Sequence, residues 1–174
     1  HTNLGRAPLA LPAQKAVFNV ARGYSSLEFN LQIIGTGPEY ENIKTLIENL
    51  NLNDSINLVG TKFGEELETY YKNSNYLLQI SSYEGMSHTI LEAMNHGLVV
   101  ITSKFGGNYE LIGKNKLGYL VEPIEVDQIV NTINYVIKDN EKKVKALEGK
   151  HLVNKDYNIM LTSKKYAEMI TNSD

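Results

Sequence analysis

Short apolar runs alternate along the chain with segments in which apolar residues recur at helical spacing. Each run is four or five residues long and ends at a glycine or a polar turn, as buried strands do. The predicted strands are residues 30–34, 55–59, 76–80, 98–101 and 118–121. The predicted helices are residues 14–21, 40–49, 65–72, 89–96 and a short helix around 110–112. This alternation predicts an α/β fold with a parallel, doubly wound sheet and right-handed crossovers.

The C-terminal part of the chain lacks the strand pattern and is predicted to be helical. Ile129, Ile133 and Val136 recur at helical spacing within residues 126–137, and two further helical stretches begin at 141 and 160. No low-complexity tract or repeat beyond the alternation marks a second domain boundary. We therefore expect one domain over residues 13–174, completed by C-terminal helices.

Residues 1–12 do not fit the alternation. The chain begins with His1, and sequence rich in Ala, Pro and Leu follows without a full strand. We assign residues 1–12 to a truncated or tag-derived leader. Two origins stay open, namely a missing N-terminal part of the protein and a tag remnant followed by a disordered leader.

The composition narrows the class of protein. With 42% hydrophobic and 21% charged residues over 174 positions, the chain can bury the core of a globular domain. A formal net charge of -3 argues against a broad basic surface that binds nucleic acid. The absence of cysteine excludes disulfides and thiolate metal sites. No apolar run approaches the roughly 20 residues of a membrane span, although peripheral membrane contact stays open.

Two glutamates, Glu84 and Glu92, flank the turn between a predicted strand and a predicted helix. In a parallel sheet this turn lies at the carboxyl edge, where ligands bind. Gly85 lets the backbone come close, and the free amides of the new helix offer a phosphate site. Carboxylates would repel a phosphate that they touched, so we expect them to accept hydrogen bonds from hydroxyls of a ribose and a sugar. The pattern indicates a nucleotide sugar, whereas the plainer alternative is a solvent-exposed helix acid at Glu92 and a capping residue at Glu84.

Two other glycine loops are predicted at the same edge. Gly35-Thr36-Gly37-Pro38 begins like a dinucleotide fingerprint, but Tyr40 stands where the third glycine is needed, which argues against a hydride-transfer enzyme. The loop is then a tight strand-to-helix turn whose amides face the same crevice. Gly106-Gly107 is predicted as a loop before Tyr109 and Glu110, which would open on this edge as well.

No motif indicates metal chemistry. The sequence has no nucleophile elbow and no pair of acids spaced to bridge a metal to phosphate. His88 and His96 lack a convincing third ligand, so we expect no metal site. His96 is interpreted as a surface or helix-end residue, and His88 is placed in the first turn of the anion-binding helix, where it can contact phosphate.

The segment 81–97, together with Val99-Val100-Ile101 and Gly106-Gly107-Asn108-Tyr109-Glu110, resembles the C-terminal domain of family-four glycosyltransferases, the glycosyl transferases group 1 type. The resemblance extends from the Gly35 loop to residue 121, and the tail from Tyr157 is similar to a helix that crosses back toward the family's N-terminal domain. It implies one half of a GT-B architecture, in which two Rossmann-like domains face each other across a cleft. This chain would be the donor-binding half, and the N-terminal acceptor domain would be missing.

The resemblance also implies roles for individual residues. Glu92 would bind the ribose hydroxyls, Glu84 would contact the donor sugar near the reacting centre, and Arg6 and Lys15 would neutralise the diphosphate leaving group in place of a metal. The implied catalytic residues are Glu84, Arg6 and Lys15, and the implied donor-binding residues are Gly35, Gly37, Gly60, Thr61, Lys62, Gly85, Met86, Ser87, His88 and Glu92. The spacing from Arg6 to Lys15 is longer than in the family, so either an insertion loops out or one cation is lost.

The implied activity is that of a retaining, metal-independent transferase of hexosyl type without a cofactor. It would move a sugar from a nucleoside diphosphate sugar to an acceptor hydroxyl, in polysaccharide biosynthesis, in the cytoplasm or at the inner face of the membrane. Membrane contact would come through the missing half, and nucleic acid is not an expected partner. Two alternatives are another GT-B enzyme, such as an epimerase or a phosphorylase-like protein, and a binding module without turnover. Donor base, sugar, acceptor and linkage stay open.

Overall fold

A parallel sheet lies at the centre of the fold. The computed structural model describes residues 2–5, 18–23, 29–81, 87–114, 116–122 and 125–158. Within these ranges six strands pair into one sheet, and every neighbouring pair is parallel. The strands are β1 (Thr2–Gly5), β2 (Phe29–Ile34), β3 (Ile56–Gly60), β4 (Tyr76–Gln79), β5 (Val99–Ser103) and β6 (Tyr119–Val121).

Helices connect these strands and close the chain. They are α1 (Tyr40–Asn49), α2 (Gly64–Lys72), α3 (His88–Asn95), α4 (Gly106–Ile112), α5 (Val126–Lys138) and α6 (Lys142–Asp156). Residues 18–21 form a further helical turn between β1 and β2. The charges of α2 follow its dipole, because Glu65 and Glu66 lie in the first turn and Lys72 lies in the last.

The strand order is β3-β2-β1-β4-β5-β6, the order of a doubly wound, Rossmann-like sheet. The chain winds outward in one direction from β1 to β3 and in the other from β4 to β6. Between β1 and β4 the winding reverses, which opens a crevice beyond the carboxyl ends of these two strands. The predicted fold class, an α/β Rossmann-like sheet with C-terminal helices, is confirmed.

Two hydrophobic clusters cover the two faces of the sheet. Leu78 and Ile101 point to one face, where they pack with helix residues such as Ile47, Ile129 and Ile133. Their neighbours along the strands point to the opposite face. There, Leu77 and Val100 pack with residues of α2, α3, α4 and α6, including Tyr71, Leu91, Ile112 and Val153. Strands buried on both faces explain why the sequence shows continuous apolar runs and not alternation.

Strand β1 was not predicted from the sequence. Residues 2–5 pair with β2 on one side and with β4 on the other, so they occupy the middle of the sheet. Residues 2–5 of the segment assigned to a leader therefore belong to the sheet. The truncated or tag-derived origin of residues 1–12 stays a prediction. Thr-Asn-Leu-Gly has a single large apolar residue, which gives no recognisable strand pattern, and the strand is defined by backbone pairing on both sides.

Helix α4 begins earlier than predicted, since Gly106 and Gly107 belong to the helix and not to a loop before it. Its start repeats that of α2. In both places a Lys-Phe-Gly sequence follows the strand, the phenylalanine is extended, and the glycine has a φ of 50°. Gly64 and Gly106 adopt this left-handed conformation without the steric penalty of a side chain, so the chain can turn directly from strand to helix.

Other predicted elements agree with the structure within about two residues, and α1 agrees at both ends. Residues 14–17 of the first predicted helix and the helix predicted from residue 160 lie outside the described residues. In the part of the chain that the structure describes, no helix combines the length and apolar character needed to cross a membrane.

Candidate functional site at the carboxyl edge of the sheet

The turn after β4 begins the candidate site. Gln79 is the last residue of β4, and Ser87 is the residue that precedes α3. The Gln79 amide nitrogen donates to Ser87 Oγ at 2.8 Å, and Ser87 Oγ lies 3.1 Å from Gln79 Oε1, to which it donates in return. Both side chains are buried. The strand end and the helix start are therefore held together directly beside the crevice.

The N-terminus of α3 suits an anion. Within the described residues Ser87 makes no side-chain capping bond to the amides of α3, because its hydroxyl is bonded to Gln79 instead. Helix α3 also has no acidic residue in its first turn, in contrast to α2 and α5. The first amides of a helix have no partner within it, and the helix dipole is positive at this end.

A carboxylate lies one turn further along the same helix. Glu92 is half-buried, and the Tyr71 hydroxyl donates to Glu92 Oε2 at 2.8 Å. The Tyr71 ring stacks on His96 with 5.3 Å between ring centroids and 16° between planes. His88 is exposed at the start of the helix and lies four residues before Glu92, on the same face.

The loops after β2 and β3 form the next part of this edge. The Gly35 amide donates to the Gly60 carbonyl oxygen at 2.8 Å, and the hydroxyls of Thr36 and Thr61 lie 3.0 Å apart, within hydrogen-bond distance. Gly37 follows in the first loop. Lys62 Nζ lies 3.7 Å from Glu66 Oε1, so this cation forms an ion pair with the first turn of α2. The two loops are thus joined by backbone and side-chain contacts.

The loops after β5 and β6 border the other side. Ser103 Oγ accepts a hydrogen bond from the Ser81 amide at 3.3 Å, which links the ends of β5 and β4. Lys104 and Glu122 form an exposed ion pair at 3.7 Å. Beside them a cavity of about 270 Å³ is also lined by Tyr109 and Gln128.

The pKa shifts in the described structure lie away from this edge. Burial raises the pKa of Tyr119, and its hydrogen bond to Asp139 raises it further. The same hydrogen bond lowers the pKa of Asp139. Tyr119 begins β6 and Asp139 follows α5, so this pair lies at the amino edge of the sheet, opposite the candidate site.

The predicted site residues fall into two groups. Those within the described structure lie at the carboxyl edge, on the loops after β2 and β3 and at α3: Gly35, Gly37, Gly60, Thr61, Lys62, Ser87, His88 and Glu92. Those outside the described residues are Arg6, Lys15, Glu84, Gly85 and Met86. Among the described residues, no group of three His, Asp or Glu side chains could hold a metal ion, and metal independence stays a prediction.

Tyr71 and Gln79 were missed by the sequence analysis. Tyr71 lies in the amphipathic pattern of α2, and nothing in that pattern connects it to Glu92, 21 positions later. Gln79 carried a signal, because it is the one polar side chain within the apolar run of residues 76–80. A buried amide in a central strand needs a hydrogen-bond partner, and here Ser87 provides one.

Comparison with known proteins assigns the chain to a family. A model of the glycosyl transferases group 1 family matches residues 11–152. An uncharacterized glycosyltransferase of Haemophilus influenzae is 28% identical over 133 residues, which is 76% of this chain and 37% of that protein. The chain thus spans little more than a third of that relative.

Solved structures show the same fold. The C-terminal domain of a glycosyl transferase group 1 family protein (LpcC) from Francisella tularensis superposes with a TM-score of 0.75 at 24% identity, over 91% of this chain and 87% of that one. Anabaena Alr3699/HepE in complex with UDP-glucose gives a TM-score of 0.77 at 19% identity, over 99% of this chain and 49% of that one. The fold is that of the C-terminal half of a GT-B glycosyltransferase. Because the family model matches most of the sequence, this chain belongs to the glycosyl transferases group 1 family.

Proposed function

We propose that this chain is the donor-binding domain of a retaining glycosyltransferase and that its ligand is a nucleoside diphosphate sugar. The observation that carries the proposal is the composition of α3. One helix combines an N-terminus without acidic residues and, one turn later, the half-buried carboxylate of Glu92. An anion and a set of hydroxyls on the same ligand would match these two features.

The spacing along α3 fits a nucleotide. Glu92 lies four positions after His88, which corresponds to about 6 Å along the helix axis. The diphosphate and the ribose hydroxyls of one nucleotide are separated by a comparable distance. In our proposal the diphosphate lies at the α3 amides and His88, and the ribose hydroxyls donate to Glu92.

The joined loops after β2 and β3 are the proposed site of the base. Gly35, Gly60 and Thr61 present backbone groups and a hydroxyl at the neighbouring strand ends. Such groups can bracket a flat ring and hydrogen-bond its edge. Binding of UDP-glucose by HepE, a protein of the same fold, supports a nucleotide sugar as the ligand.

The proposed chemistry is stabilisation of the leaving group. As the bond from the sugar to the diphosphate breaks, negative charge grows on the departing oxygen. Helix amides stabilise such charge without reorganisation, and Arg6 and Lys15 are proposed to add two cations without a metal or other cofactor. Glu84 is proposed to orient the donor sugar. The acceptor oxygen would bond to the anomeric carbon on the face from which the diphosphate departs, and its proton would pass to the departing phosphate oxygen, so that the anomeric configuration is retained.

The acceptor and the complete activity belong to the rest of the protein in this proposal. The chain spans 37% of the length of the Haemophilus influenzae relative. A facing domain would bind the acceptor, exclude water and provide any membrane contact in polysaccharide biosynthesis at the cytoplasmic side. We therefore expect the 174-residue chain alone to bind a donor and to transfer little sugar.

Calorimetric titration of the chain with UDP, GDP and ADP tests the proposal. We expect one of the three diphosphates to bind, and Glu92→Gln to weaken it by about tenfold, since hydrogen bonds to a charged group are worth roughly 1.5–3 kcal/mol. Glu48→Gln is the matched control, because Glu48 is an exposed acid near the C-terminal end of α1, away from the carboxyl edge of the sheet. Failure of all three nucleotides to bind, or equal weakening in both variants, would contradict the proposal.

A further inference from the structure

The described structure gives Glu92 a neighbour that the sequence did not predict. Tyr71 is the penultimate residue of α2, and its hydroxyl donates to Glu92 Oε2 at 2.8 Å. This hydrogen bond joins α2 to α3, and the two bonded residues are 21 positions apart in the sequence. Because the acceptor is a carboxylate, this hydrogen bond is stronger than one between neutral groups.

The orientation of the Tyr71 ring is itself restricted. The residue is only 6% exposed and packs in the hydrophobic cluster with Leu91 and Met94. His96 stacks on the ring with nearly parallel planes. A buried, stacked tyrosine has few rotamers, so its hydroxyl points in a direction that is fixed before any ligand arrives.

A glutamate on a helix surface otherwise samples several rotamers and loses that freedom when it binds a ligand. Holding one carboxylate oxygen removes much of this cost in advance, which is how preorganisation raises affinity. The geometry points to Tyr71 as a positioning residue that orients Glu92 toward the ribose of the nucleotide. This inference rests on the proposed function, and it assigns Tyr71 no direct contact with the ligand.

A positioning role makes a prediction that a merely structural role does not. The Tyr71 hydroxyl should affect only the part of the affinity that depends on ribose hydroxyls. The nucleoside diphosphate that the chain binds and its 2′,3′-dideoxy analogue differ in those hydroxyls and share the base and the diphosphate. UDP and 2′,3′-dideoxy-UDP stand for this pair below, and the GDP or ADP pair replaces them if that diphosphate is the one that binds. Calorimetry of both ligands with the wild-type chain and its variants separates the two roles.

We expect Tyr71→Phe to weaken UDP binding by about fivefold and to leave 2′,3′-dideoxy-UDP binding unchanged. In a Glu92→Gln background the same substitution should weaken UDP much less, since the two residues act as a unit. Tyr70→Phe is the matched control, because it removes the hydroxyl of the adjacent residue, for which the described structure shows no hydrogen bond to Glu92. Thermal unfolding of each variant confirms that the fold is kept.

Equal weakening of both ligands by Tyr71→Phe would overturn the inference, because it would mean that the hydroxyl only supports the fold. An unchanged affinity for UDP would overturn it as well. Both results leave the proposed function intact, provided that the wild-type chain binds UDP and Glu92→Gln weakens that binding. If the wild-type chain binds no nucleotide, the proposed function fails, and this inference fails with it.

Discussion

Gln79 and Ser87 exchange hydrogen bonds across the turn that leads from β4 into α3, at 2.8 and 3.1 Å. Both side chains are more than nine-tenths buried. A serine before a helix usually caps the helix by accepting from its amides. Here the hydroxyl is bonded to the strand, so the same residue fixes the position of α3 and leaves its amide end uncapped by Ser87.

Ser87→Ala is expected to lower the free energy of unfolding by about 1–3 kcal/mol, because the buried Gln79 amide loses its hydrogen bonds to the Ser87 hydroxyl. In a Gln79→Met background the same change should cost well under 1 kcal/mol. Urea denaturation of the four proteins in this cycle gives the coupling energy. If Ser87→Ala cost the same in both backgrounds, its hydroxyl would act as an ordinary cap and the pairing would be unimportant.

Gly118 is required by the close approach of two strands. A Cβ atom at this position would lie 2.7 Å from the Val100 carbonyl oxygen and 3.4 Å from the Ile112 side chain. The nearest atom belongs to the backbone of a central strand and cannot move aside cheaply. Gly118→Ala is therefore expected to lower the free energy of unfolding by about 1–3 kcal/mol.

The control for this substitution is Gly37→Ala. Among the residues that the structure describes, no atom lies within 4 Å of a Cβ added at Gly37, and the φ of Gly37 lies outside the left-handed region. Alanine there restricts the unfolded chain, so the free energy of unfolding should stay level or rise by up to about 1 kcal/mol. Urea denaturation without nucleotide compares the two variants. Similar losses in both would mean that glycine flexibility, and not the contact with Val100, sets the cost.

The periodicity of the sequence predicted nearly all of the described fold, because strands buried on both faces and amphipathic helices each leave a pattern along the chain. Residues 40–49 were predicted as a helix with the bounds that α1 has. β1 left no pattern, since its central position depends on pairing with β2 and β4 and hardly on its own composition. The local periodicity of a sequence does not show how a strand pairs with strands that are distant along the chain.

The candidate site was predicted only in part, for a related reason. The acid at Glu92 and the glycine turns have local signatures of a strand-to-helix turn. The Tyr71 contact depends on how α2 and α3 pack together on β4, which no spacing along the chain encodes. Sequence therefore indicates candidate ligand-binding residues more readily than the residues that hold them in position.

The ion pair between Lys104 and Glu122 should contribute little to stability. The Nζ and Oε1 atoms are 3.7 Å apart, and both side chains are about half exposed. Solvent-exposed pairs of this kind are worth less than about 1 kcal/mol and are screened by salt. Glu122→Gln should lower the free energy of unfolding by less than about 1 kcal/mol, and the difference should vanish in roughly 1 M NaCl. A larger cost that survives high salt would show that the pair supports the loops by a route other than charge.

Stability at high pH should depend on Tyr119. The phenol is buried, its hydroxyl donates to Asp139 Oδ2, and Lys145 Nζ lies 5.6 Å from its ring centroid. Burial and, second, the Asp139 carboxylate raise the pKa of Tyr119 above its ordinary value of 10.0. The folded state then holds a proton that the unfolded chain releases near pH 10, so the stabilisation is complete below that pH and is lost as the pH rises further.

Measuring the free energy of unfolding from about pH 8 to about pH 11 tests this dependence. The wild-type chain should lose stability above about pH 10, and Tyr119→Phe should lose it less steeply, because its phenyl ring has no proton to release. In Asp139→Asn most of the loss of stability above about pH 10 should remain, since burial is the larger cause of the raised pKa of Tyr119. Burial also raises the pKa of Tyr76, so part of the loss of stability at high pH should remain in every variant. Identical slopes for the wild-type chain and Tyr119→Phe would contradict the prediction and would mean that Tyr119 ionises equally easily in the folded and unfolded states.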